Sequence, residues 1–171
     1  MLCSIIEEMG RLIIIRGNSG SGKSTIANRL QHELGYGTML VQQDILRREI
    51  LRVKDGPNNP SIQLIYDTAL YGKQIGYDVI VEGILNSKNY GEMLRKLVDN
   101  FDAVYVYYFN ISFEETLRRH QTKPNSQDFG EEEMRRWYKE KDLLGYENEK
   151  IIDENQSENE TFANIMRDLN L

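Results

Sequence analysis

Short runs of branched and aromatic residues alternate along the chain with longer segments whose apolar positions recur every three or four residues. Five runs stand out: Leu12–Arg16, Thr38–Gln42, Val79–Glu82, Ala103–Phe109 and Lys150–Asp153. The first four are β-branched or aromatic and bounded by turn residues, the pattern of strands buried on both faces; the fifth is shorter and weaker. Between them the period changes. In Thr25–Leu34 the apolar residues fall at 26, 27, 30 and 34, one face of a helix. A helix is expected over Ile45–Arg52, and another from Ser61, as its cap, to about Ile75 after the turn Gly56-Pro57-Asn58-Asn59-Pro60. Ser112-Phe-Glu-Glu115 and Ser157-Glu-Asn-Glu160 have capping-box spacing, in which serine and glutamate satisfy each other's free N–H groups. The last helix places Phe162, Ile165, Met166 and Leu169 on one face, a core-packing stripe. Strands alternating with helices imply an α/β fold: a parallel sheet covered on both faces, with ligands at the carboxyl ends of its strands.

The chemistry follows those ends. After the first strand the chain reads Gly17-Asn18-Ser19-Gly20-Ser21-Gly22-Lys23-Ser24-Thr25, which fills every fixed position of the phosphate-binding loop G-x-x-x-x-G-K-[ST]. Strand, loop and helix in that order form a nest of backbone N–H groups for phosphate. Lys23 is expected to reach the terminal phosphates, and the Ser24 hydroxyl to sit on Mg²⁺. The second strand runs into Asp44, with Arg47 and Arg48 at i+3 and i+4 on one side of the next turn. A carboxylate there can orient or deprotonate a hydroxyl while an arginine neutralises an anion; the plainer role for Asp44 is a helix N-cap. The third strand ends in Glu82-Gly83, an apolar run closed by an acid that suits Mg²⁺ coordination, with Gly83 keeping space beside the phosphates and Asn86 within reach of an acceptor. The fourth leads through Arg118 and Arg119 to the polar stretch Asn125–Gly130 and a charged helix over Glu131–Lys141 that carries Arg135 and Arg136. Two arginine-bearing helices joined by a polar loop fit a lid over a nucleotide; a solvated hairpin balanced by Glu131–Glu133 is the alternative. Trp137 and Tyr138 suit packing, and His32 and His120 lack metal-site spacing.

Composition changes this picture little. A chain of 171 residues, 40% hydrophobic and 28% charged, suits one α/β domain. No stretch approaches the length of a membrane span, and the start lacks a secretory pattern. One cysteine, Cys3, excludes an intramolecular disulfide and fits the cytoplasm. Met9-Gly10 stands just before the first strand and suits an alternative start, which would make residues 1–8 dispensable. The net charge of −6 disfavours general nucleic-acid affinity, whereas the local clusters Arg47, Arg48, Arg52 and Arg118–Lys139 suit a small anionic ligand.

Taken together, the loop Gly17–Thr25, the segment Gln43-Asp44-Ile-Leu-Arg47 and the segment Phe113-Glu-Glu-Thr-Leu-Arg-Arg119 resemble the small P-loop kinases, the group of polynucleotide kinases, adenylylsulfate kinases, zeta-toxin-like kinases and many small-molecule kinases of bacteria. The resemblance spans about residues 9–153. It implies a P-loop NTPase fold of one domain over 1–171, a five-stranded parallel sheet of order 2-3-1-4-5 and a helical lid over about 118–136. It implies ATP and Mg²⁺, with Asp44 as general base, Arg47 on substrate or phosphate, and Arg119 stacked on or paired with ATP. Arg135 or Arg136 falls where a second lid arginine is expected. Lys123 stands where relatives often carry arginine, and Glu82 where several carry aspartate. Acceptors in this group range from sugars to nucleic-acid ends. The reading is a kinase phosphorylating a hydroxyl of a small metabolite, such as a nucleoside or nucleotide. A 5′-hydroxyl polynucleotide kinase and a nucleotide-binding switch or motor ATPase are the alternatives; oligomeric state stays open. Asp44 separates the last of these, because a switch positions water and needs no acceptor pocket.

Overall fold

The computed structural model describes residues 10–122 and 129–171; Cys3, Met9 and Lys123 lie outside them. Five strands, β1 (Leu12–Gly17), β2 (Thr38–Gln42), β3 (Asp78–Gly83), β4 (Val104–Asn110) and β5 (Glu149–Asp153), form a wholly parallel sheet of order β2-β3-β1-β4-β5. This is the expected topology, with each strand within a residue or two of the apolar run that specifies it. The helices are α1 (Lys23–Leu34), α2 (Ser61–Gln74), α3 (Ser87–Val98), α4 (Phe113–Gln121), α5 (Glu131–Trp137) and α6 (Glu158–Asp168).

Strand periodicity builds two cores. Along β1, Leu12 and Ile14 point to one face and Ile13 and Ile15 to the other, all fully buried. Leu12 and Ile14 join Val79, Val81, Ile65, Ala69, Leu94 and Leu97 beneath α2 and α3. Ile13 and Ile15 join Ile80, Tyr107, Ile26, Leu30, Ile165 and Leu169 beneath α1 and α6. The stripe expected on the last helix is that packing surface, with Phe162 and Met166 partly buried at its margin.

Local winding departs from expectation at four places. Ile45–Ile50 is a π-helix, with Leu51 N–H donating to the Leu46 carbonyl at 3.0 Å; single π turns of this kind concentrate at functional sites. Ser61 does not cap α2; Asn59 Oδ1 accepts from both Ser61 N–H and Ser61 Oγ. At α4, Ser112 Oγ accepts from Glu115 N–H as expected, but the reciprocal half of the box is supplied by Glu154, which accepts from Ser112 N–H at 2.9 Å. The Glu115 carboxylate is drawn away by two arginines. The box at Ser157 and Glu160 closes as expected. Finally, α5 stops at Trp137 rather than Lys141, where the Tyr138 hydroxyl donates to the Ile111 carbonyl and the exposed Lys139 gives its backbone N–H to Asn18 Oδ1.

Candidate active site

The phosphate loop joins β1 to α1 at the carboxyl edge of the sheet, flanked by the ends of β3 and β4. Gly20, with φ +80°, lies under α4, where a Cβ would come within 2.4 Å of the Thr116 carbonyl oxygen. Lys23 is nearly buried. Its Nζ donates to the Asn18 carbonyl at 3.2 Å and stands 3.8 Å from Glu82 Oε1. Ser24 Oγ donates to that same oxygen at 2.9 Å, and Gln42 Nε2 to Glu82 Oε2 at 3.3 Å. The sheet register makes this convergence, since Glu82 pairs with Ile15 on β1 and with Gln42 on β2. A hydroxyl and a carboxylate one hydrogen bond apart are hard oxygen donors of the kind Mg²⁺ takes alongside phosphate and water. Ser19 is half-buried in the loop, while Ser21 is fully buried with no hydrogen-bond partner for its Oγ among the described residues.

On the β2 side, Asp44 takes the N-cap position of the π-helix, but it has helical backbone angles and its carboxylate accepts no cap hydrogen bond. Its carboxylate instead holds Arg47 Nη2 at 2.8 Å and Arg48 Nε at 3.4 Å, the pairing that the i, i+3, i+4 spacing implied. The Asp44 carboxylate is 60% exposed, whereas the Arg47 side chain is only 11% exposed and leaves its Nε without a partner among the described residues. Asn86 uses its side-chain oxygen to cap α3, accepting from Asn89 N–H at 3.0 Å. The space in front of Gly83 is taken by the Gln43 side chain, so it is not left open for phosphate.

The arginines of the expected lid divide into two groups. Arg119 lies over the phosphate loop, its Nη1 donating to the Ser21 carbonyl at 2.9 Å and its Nε to Glu115 at 2.6 Å. Arg118 shares Glu115 through Nε and Nη2. These two guanidinium groups, Arg118 first, hold the Glu115 carboxyl well below its usual range, at about 2. Arg135 and Arg136 pair within α5, with Glu131 at 2.8 Å and Glu133 at 3.0 Å, and Arg135 also covers the Phe113 ring. Neither has a described contact with the loop. Thus lid arginines are neutralised locally in this conformation, and only Arg119 already touches the phosphate site. Trp137, Tyr138 and His120 are packing residues, the last stacked on Phe129.

Two features escaped the sequence reading. Beside the loop lies a cavity of about 510 Å³, bounded by Thr25 and Arg119 and closed by the β5–α6 loop, Asp153–Ser157. Gln156 Oε1 there is buried without a partner among the described residues. No motif marks this loop; its position after a strand end was the available signal. The second feature is Arg16, which is fully buried beside the phosphate loop. It donates to the Leu85 carbonyl, the Asp142 carbonyl, Asp142 Oδ2 at 2.6 Å and Glu149 Oε1 at 3.2 Å, and covers the Tyr108 ring. Burial pushes the Tyr108 phenol up. Next to it, Asn18 bonds both backbone groups of Lys139, at 2.7 and 2.8 Å. The loop and the strand feeding it therefore hold the chain segment that leaves α5.

A parallel 2-3-1-4-5 sheet with this loop after its central strand, and with lysine, serine and carboxylate converging behind it, defines a P-loop nucleotide-binding protein of the kinase-like fold. The chain belongs to the AAA domain family, whose model matches residues 12–142. No curated protein matches it. Among solved structures, the APS kinase of Mycobacterium tuberculosis, in complex with AMPPNP and APS, superposes with a TM-score of 0.69 at 17% identity, over 95% of this chain and 99% of that one. A sugar kinase from a Janibacter species gives a TM-score of 0.67 at 16% identity, over 94% and 95%. A chain of an RNA repair complex gives 0.58 at 16% identity, over 80% of this chain and 45% of that one. At these identities the likeness is one of fold, and the fold serves different acceptors.

Proposed function

We propose that this protein is an ATP- and Mg²⁺-dependent kinase that transfers the γ-phosphoryl group of ATP to a hydroxyl of a small metabolite, a nucleoside or nucleotide among the candidates. The observation that carries the reading is the convergence of Lys23 and Ser24 on one oxygen of Glu82. That trio stands beside an aspartate whose carboxylate accepts no cap hydrogen bond and is flanked by two arginines.

In this reading the backbone of Gly17–Thr25 cradles the phosphates and Lys23 neutralises the β- and γ-oxygens. Ser24 and Glu82 hold Mg²⁺, which offsets charge on the phosphates. The nucleoside lies in the cavity between Arg119 and the Asp153–Ser157 loop. Asp44 accepts the proton of the acceptor hydroxyl as its oxygen bonds to the γ-phosphorus. The bond from that phosphorus to the β–γ bridging oxygen breaks, and ADP leaves. Arg47 and Arg48 anchor the acceptor, Asn86 lies at the same strand edge, and Arg119 follows the charge on the transferred group. The segment 118–136 acts as the lid, and Arg135 or Arg136 joins the phosphates only if closure breaks its pair on α5. No described helix is long and apolar enough to cross a membrane, and the proposed site of action is the cytoplasm.

The test is ATP consumption across a panel of nucleosides, nucleotides, sugars and a 5′-hydroxyl oligonucleotide. Acceptor-stimulated turnover in the wild type, lost in Asp44→Asn with affinity for a non-hydrolysable ATP analogue retained, supports the reading. Turnover with the oligonucleotide alone would replace it with a polynucleotide kinase. Hydrolysis that no acceptor stimulates would indicate an ATPase or switch.

A further inference from the structure

The hydrogen-bonded ladder between β2 and β3 ends at Gln42 and Glu82. Asp44 lies two residues beyond it, its side chain 60% exposed, on a turn whose Leu46 is buried in the core. Its ion pairs with Arg47 and Arg48 are made within that same turn. They shape the turn but do not locate it relative to the phosphate loop.

Gln43 makes a longer connection. It is 3% exposed, and its Oε1 accepts from Leu85 N–H at 3.0 Å, across 42 residues of sequence. Leu85 is fully buried at φ +43°, a left-handed conformation that strains a leucine and persists only where its surroundings impose it. Its N–H is held by Gln43, and its carbonyl by Nε and Nη2 of Arg16, the residue preceding the phosphate loop. Gly83 completes the arrangement. A Cβ at that position would stand 2.4 Å from Gln43 Oε1 and 2.5 Å from Gln43 Cβ, so glycine is what admits the side chain.

We infer that Gln43 is a positioning residue for Asp44, fixing the proposed base against the strand that feeds the phosphate loop through the relay Gln43–Leu85–Arg16. The inference rests on the kinase reading. Leu46 seats the turn in the core but does not fix the backbone at Asp44, and a displacement of about 1 Å in such geometry can cost about 100-fold in rate.

Gln43→Met keeps the volume of the side chain and removes its acceptor. Gly83→Ala evicts the side chain by a different route. Each is expected to lower kcat about 10- to 100-fold while leaving the Kd for AMPPNP within about twofold. In an Asp44→Asn background, Gln43→Met should cost nothing further, since its effect passes through Asp44. Hydrogen exchange at residues 44–48 should quicken in both single variants, with or without nucleotide. Normal kcat in Gln43→Met, an additive loss in the Asp44→Asn background, or equal loss of AMPPNP affinity would each overturn the assignment. If no acceptor is found, the kinase reading fails on its own, and exchange at 44–48 still decides whether Gln43 anchors the turn.

Discussion

Replacing Asp142 with alanine should cost this protein about 3 kcal/mol of stability, although Asp142 belongs to no motif. The magnitude follows from what the side chain touches. Its Oδ2 lies 2.6 Å from Nη2 of Arg16, whose guanidinium is 0% exposed, and the carboxylate also accepts from Ser87 N–H and Oγ. A buried ion stripped of its partner costs about 3–5 kcal/mol. Arg16 would keep Glu149 at 3.2 Å and the backbone carbonyl of residue 142, which alanine retains. That places the loss at the low end of the range, near the upper value of about 1.5–3 kcal/mol for one charge-assisted hydrogen bond. The Ser87 donors are half-exposed and can turn to water, adding little. For a chain of this length about 3 kcal/mol lowers Tm by about 6–12 °C. Urea and thermal denaturation of Asp142→Ala, Asp142→Asn and Glu131→Ala provide the comparison. Asn keeps an oxygen for Nη2 and should recover part of the loss. Glu131→Ala breaks a solvent-exposed pair with Arg135 and should be close to neutral. An Asp142→Ala variant melting within about 1 °C of wild type would refute the reasoning, because it would mean that Arg16 finds water on losing its partner.

Lys23→Ala should nearly abolish phosphoryl transfer at saturating ATP and leave the fold intact, because Glu82 keeps its bonds to Ser24 and Gln42; turnover together with a thermal melt checks both halves. The Glu115 carboxyl is depressed to about 2 by Arg118 and Arg119, so its stabilising share is present above the unfolded value of about 4.3 and is lost as pH falls through about 2. The urea midpoint of Glu115→Gln should therefore fall less steeply than wild type between about pH 4.5 and 2; parallel profiles would show that the two arginines gain nothing from the charge. Residues 118–122 and 129–136 should gain hydrogen-exchange protection on binding AMPPNP, as Arg119 exchanges Glu115 for phosphate. Equal protection in both states would make the lid assignment wrong.

Chain positions close in sequence announced themselves. Apolar runs marked the strands to within a residue or two, most clearly in β1, which is buried on both faces and needs an uninterrupted apolar stretch, and most weakly in β5, where Lys150 and Ile151 are exposed. The phosphate loop is a local backbone device, and Gly17, Gly22, Lys23 and Ser24 stand where an eight-residue motif puts them. The contacts of Asp44 with Arg47 and Arg48, and of Glu131 with Arg135, follow from helical neighbours three and four apart. Spacing of this kind says nothing about partners brought in by the sheet. Glu154 takes the place of Glu115 at the Ser112 cap from 42 residues away, and Gln43 reaches Leu85 over the same separation. Arg16 ends an apolar strand, and its local spacing names none of its partners. Its carboxylates are 126 and 133 residues distant, and only the stacking of β3, β1, β4 and β5 carries them to one place and buries the charge. Local spacing is written into the covalent chain. The pairing of buried polar groups is settled by which distant segments the packed sheet places side by side, where a group left unpaired would cost too much to keep.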